Sequence, residues 1–117
     1  MAQNKTPLSD SVYLIMLSLI TPMHGYAIMQ HVEEISCGET SIGPATLYTS
    51  LTKLQENGWI VPCEPLEQKD ERRKPYILTD KGKTVLQVEV ARRQKMAQLG
   101  IDIMQKIGEK FNDNEAK

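Results

Sequence analysis

The chain has 117 residues, 14 Lys and Arg against 15 Asp and Glu, and a formal net charge of -1. That length allows one modest core with an appended helix, which makes association of two copies attractive, and the near-neutral charge excludes binding to a polyanion by global electrostatics, so any nucleic-acid contact needs a local patch. Two cysteines, Cys37 and Cys63, in no C-x-x-C spacing exclude a disulfide framework and predict reduced thiols. With no signal peptide and no apolar run that would span a bilayer, the expectation is a cytoplasmic protein without a membrane partner.

After a polar start from Met1 to Pro7, Ser9 or Asp10 caps a predicted first helix. Its apolar residues, Val12, Tyr13, Ile15, Met16, Leu17, Leu19 and Ile20, wrap most of the circumference. A helix apolar on both sides predicts two neighbours, its own core and a second subunit. Thr21-Pro22 stops it, and a turn at Met23-His24-Gly25 leads to a second helix with Ile28, Val32 and Ile35 at i, i+4, i+7. Cys37-Gly38-Glu39 closes that helix.

The stretch from Ser41 to Ile60 carries a start signal, two faces and a stop signal. Gly43 is the expected N-cap and Pro44 the first helical residue, where its missing N–H costs nothing. Ile42 and Leu47 stand at staple positions, and Leu47, Leu51 and Leu54 form one buried stripe. Asn57-Gly58 ends the helix. Its outer face carries Ala45, Thr46, Thr49, Ser50 and Lys53, with Tyr48 on the shoulder.

Beyond Gly58 the period turns extended. Trp59-Ile60-Val61, cut by Pro62, and Lys74 to Thr79 read as two antiparallel strands, both expected at edges because of their prolines. The segment between them, Glu67 to Arg73, is wholly charged or amide and reads as a solvated tip. Thr79 then caps a long last helix with Asp80 in its first turn. Its apolar positions Val85, Leu86, Met96, Leu99, Ile103, Ile107 and Phe111 fall largely at spacings of three and four, a pattern for packing on another long helix, weakened by Gly100 and Gly108.

Three helices followed by a two-stranded wing is the winged variant of helix-turn-helix. The fold class expected is therefore mainly α with a two-stranded antiparallel wing, plus a long C-terminal helix. Residues 1–79 form the expected DNA-binding domain, 80–111 a dimerisation helix and 112–117 a disordered tail.

Four motifs in this order resemble the PadR-like transcriptional regulators. They are H-G-Y at His24 to Tyr26, T-L-Y-x-x-L-x-x-L at Thr46 to Leu54, N-G-W-I at Asn57 to Ile60, and R-R-K-P-Y-I-L-T-D-K-G from Arg72 to Gly82. The single C-terminal helix is similar to that of the smaller subgroup of that family. The resemblance implies a DNA-binding regulator, most simply a homodimeric repressor on a palindromic operator, with the wing as a DNA contact. It also implies a small hydrophobic or aromatic effector.

The candidate DNA-binding residues are Ala45, Thr46, Tyr48, Thr49, Ser50 and Lys53 on the third helix, where short side chains let the backbone approach a major groove. Lys69, Arg72, Arg73 and Lys74 join them at the wing, diluted by Glu67, Asp70 and Glu71. On its own the polar lane also reads as a plain solvated face, and the charged tip as a solubility device. The candidate dimer seam, which is also the place for an effector cavity, comprises Val12, Ile15, Met16, Met96, Leu99, Ile103 and Ile107. With no tryptophan or tyrosine on the last helix to stack an aromatic guest, it reads first as a plain apolar seam holding no ligand.

His24, His31 and Cys37 lack a third ligand at recognisable spacing, so no metal and no cofactor is expected. Nucleophile, phosphate-loop and dinucleotide motifs are missing from the sequence, which argues against an enzyme. Trp59 and Tyr76 read as wing-to-core packing. The competing reading is a winged helix that docks a protein partner without reading DNA sequence.

Overall fold

Among the described residues of a computed structural model of the chain, six elements follow one another: α1 Asp10–Ser18, α2 Gly25–Ile35, α3 Pro44–Glu56, β1 Ile60–Pro62, β2 Tyr76–Leu78 and α4 Asp80–Glu115. Residues 7–63 and 74–115 are described, with side chains as far as residue 108. The order is the one expected from the sequence, a mainly helical winged helix-turn-helix with a two-stranded antiparallel wing and a long last helix.

Local chemistry sets the helix ends. Ser9 Oγ accepts a hydrogen bond from the Val12 N–H at 3.1 Å and so caps α1. Gly43 and Pro44 open α3 as N-cap and first residue. At its far end Gly58 takes φ 78°, its N–H reaches Gln55 O at 3.0 Å, and Trp59 N–H reaches Leu54 O at 3.0 Å. This paired closure is the Schellman motif. The end of α2 closes the same way, but Cys37, at φ 54°, occupies the left-handed position that glycine usually fills.

Residues 1–87 form one compact unit and residues 88–117 another. In the first, Leu47, Leu51 and Leu54 meet Ile28 and Val32 of α2 and Ile15, Met16 and Leu19 in a single core, closed by Trp59, Ile60, Leu78 and Leu86. Two expectations change here. Ile15 and Met16 are 0% exposed. These two residues belong to the core of this unit and present no surface to a seam or effector cavity between copies, while Val12, Tyr13 and Leu17 stay half-buried. Ile35, the third member of the predicted α2 stripe, is 41% exposed because it sits in the last turn, beyond the reach of the core.

The wing pairs Ile60 with Leu78, Val61 with Ile77 and Pro62 with Tyr76. Contrary to the expectation of two edge strands, β2 has a neighbour on each side. Met23 and Tyr76 exchange backbone hydrogen bonds at 3.1 and 3.0 Å, and Leu78 N–H donates to Leu19 O at 3.0 Å. The α1–α2 connection thus acts as a third ribbon, which ties the wing to the helices. Pro62 remains tolerable because β1, among the described residues, pairs only with β2.

Thr79 fastens the start of α4. Its Oγ1 accepts from Gly82 N–H at 3.0 Å and donates to Gly58 O at 2.7 Å. Gly82 lies so close to the Trp59 carbonyl that a Cβ there would collide with backbone. The compact unit therefore runs on to Gln87 and takes in about two turns of α4 beyond the boundary expected at residue 79.

In the second unit α4 continues through Glu115, past residue 111, and neither Gly100 nor Gly108 interrupts it. Once a helix is nucleated, each further residue adds a hydrogen bond at modest cost. The Glu89 carboxylate receives Arg92 Nη2 at 2.8 Å and Arg93 Nε at 2.7 Å, and hydrogen bonding to Glu89 raises the Arg92 guanidinium above its ordinary value.

Candidate nucleic-acid interface

Burying Leu47, Leu51 and Leu54 forces the intervening residues of α3 outward. Ala45, Thr46, Thr49 and Lys53 are exposed, Tyr48 is 41% exposed, and Ser50 is half-buried at the edge of the lane. The hydroxyls of Thr46, Thr49 and Ser50 and the Lys53 ammonium have no hydrogen-bond or ion-pair partner among the described residues. No acidic residue occurs in α3 before Glu56. The lane is thus short, hydroxyl-rich and free of repulsion toward phosphate over three turns, a surface that can approach another molecule closely and donate hydrogen bonds to it. Thr52 is different: its Oγ1 already donates to Tyr48 O at 2.9 Å.

Tyr48 has a positioning neighbour that the sequence did not reveal. Its hydroxyl end packs over Gly25, so closely that a Cβ on that glycine would overlap it, with Leu47 also against the same spot. Gly25 opens α2, so α2 and α3 meet here without an intervening side chain. The adjacent Tyr26 is 62% exposed, and its hydroxyl accepts from Gln30 Nε2 at 3.3 Å. The H-G-Y motif held that signal, a glycine for close approach and an exposed aromatic beside it. Neither α2 nor α3 has a side-chain N-cap bond or an acid in its first turn, whereas α1 has both.

At the wing, Lys74 is half-buried. Lys69, Arg72 and Arg73 lie outside the described residues. The two histidines separate. His31 Nδ1 sits 2.8 Å from Ser18 Oγ, and because that hydroxyl already donates to Leu14 O at 2.9 Å, the ring nitrogen must be the donor. His24 caps α2 only by backbone geometry, and its buried Nδ1 has no partner among the described residues. Among the seam residues, Val12 is half-buried in the first unit, while Met96, Leu99, Ile103 and Ile107 are exposed on the second.

The family model for the PadR-like transcriptional regulators matches residues 14–88, from within α1 to the second unit. The chain belongs to this family. Solved structures resemble it over most of its length. A PadR-like transcription factor from Bacteroides fragilis is 27% identical over 79% of this chain and 87% of its own, with a TM-score of 0.64. A protein from Streptococcus mutans is 30% identical over 88% of this chain and 94% of its own, with a TM-score of 0.63. PadR from Bacillus subtilis, solved in complex with operator DNA, is 28% identical over 68% of this chain and 45% of its own, with a TM-score of 0.58. An uncharacterised 37.1 kDa transposon protein of Streptomyces fradiae is 34% identical over 82 residues. The chain spans about a fifth of that relative's length, 22%.

PadR-like proteins are regulators of transcription rather than enzymes, and a transcriptional regulator is what this winged helix is. Among the described residues, no helix is long and apolar enough to cross a membrane.

Proposed function

We propose that the chain is a repressor that binds a palindromic operator as a homodimer and is released by a small hydrophobic or aromatic effector. The observation that carries this reading is the acid-free lane of unpartnered hydroxyls on α3, held outward by its buried leucine stripe. Ala45, Thr46, Thr49 and Ser50 would face base edges, and Tyr48 and Lys53 the phosphates. Lys69, Arg72, Arg73 and Lys74 would grip the flanking backbone. The Bacillus subtilis PadR bound to operator DNA supports this docking. The exposed stripe Met96, Leu99, Ile103 and Ile107 supports pairing with a second copy, which would set two α3 helices at half-sites about 34 Å apart.

The formal net charge of -1 favours one other reading, a winged helix that docks a protein. Fluorescence anisotropy with duplex DNA from upstream of the chain's own gene separates the two. The proposal expects sequence-preferring binding at low salt, weakened by joint Arg72→Ala and Arg73→Ala changes. Lys53→Ala should lower the salt slope by about one. Binding that shows no preference, or ignores the paired arginine change, contradicts it.

A further inference from the structure

A cleft of about 280 Å³ opens beside the lane, between the start of α1 and the second half of α3. Its apolar lining includes Leu8, Val12, Leu54 and Trp59, and its polar lining includes Ser50, Asn57 and Lys53. Among the described residues, Lys53 is the one charged residue in that lining, and it has no ion-pair partner there. We infer that this cleft is an effector site for a small amphipathic anion, a short aliphatic carboxylate of hexanoate size. The inference rests on the DNA-binding reading for its regulatory half only.

The chemistry follows from the lining. An alkyl chain laid on the half-buried Leu8 and Val12 leaves water, while its carboxylate meets the Lys53 ammonium, with the Ser50 hydroxyl and Asn57 amide as neutral donors. An aliphatic body fits better than a ring, because Leu54 is 2% and Trp59 5% exposed and neither offers a broad face for stacking. Lys53 and Ser50 belong to the lane as well as to the cleft. A carboxylate bound there neutralises the only cation of that lane and places a negative charge where a DNA phosphate would lie, so ligand and operator exclude each other.

The single tryptophan, Trp59, gives a direct reporter. Titrating the full chain with hexanoate should shift its indole N–H resonance saturably and release bound duplex DNA in an anisotropy competition. Hexanamide, equal in shape but uncharged, and the Lys53→Met variant titrated with hexanoate should each show binding about tenfold weaker or worse, the loss of one charge-assisted hydrogen bond. No saturable shift with hexanoate, or equal shifts with hexanamide, overturns the site. A saturable shift with unchanged operator affinity overturns its regulatory role. If hexanoate binds as expected but the wild-type chain ignores DNA, the cleft stands and the repressor reading falls.

Discussion

Thr79 shows how one side chain can join two elements. Its hydroxyl caps α4 through Gly82 N–H and at the same time satisfies the carbonyl of Gly58, the residue that ends α3. Thr79→Ala removes both bonds, so it should cost about 1–2 kcal/mol. In a unit of this size that lowers Tm by several degrees, on the order of 4–8 °C per kcal/mol, which calorimetry would register. An unchanged Tm would mean that the cap is made by water instead. The cap itself was legible, since a threonine followed by an aspartate after a strand signals a helix start. The bond to Gly58 was not, because nothing local brings the two ends together. Cys37 makes the complementary point. Its left-handed backbone is visible only in the structure, as the sequence places a glycine one position later.

At the scale of elements, α3 was readable nearly whole because its start, stripe and stop are all local signals. The wing was readable in its pairing but not in its third neighbour. Met23 lies in a short connection with no alternation to mark it, and its bonds to Tyr76 arise from the packing of the helices. The periodicity of α1 showed apolar residues on both sides of the helix. It could not show that Ile15 and Met16 go to the core of their own unit. The last helix differs, because Met96, Leu99, Ile103 and Ile107 remain exposed, and Ile101 and Met104 widen the stripe. If this stripe meets a second copy, Leu99→Glu with Ile103→Glu should weaken dimerisation by at least about a hundredfold, since each buried leucine or isoleucine contributes roughly 1.5–3 kcal/mol. Sedimentation velocity at micromolar concentration reads this directly. A wild-type monomer, or a double variant that still dimerises, would show that the stripe serves another purpose.

For the whole molecule, the balance of charge makes the local arrangement decisive. A chain with a net charge of -1 gains little from long-range attraction to DNA, so in the proposed function the affinity would come from close contacts along α3 and from the basic residues between the strands. Two copies related by a two-fold axis would present two such surfaces, and the operator would mirror that symmetry. The test that bears most directly on this account is selection of bound duplexes from a random DNA pool, followed by sequencing. A two-fold dimer reading DNA through α3 enriches an inverted repeat with half-site centres about 10–10.5 base pairs apart, or a multiple of that spacing. A pool that stays random after repeated rounds, or one that converges on a site without two-fold symmetry, would contradict it.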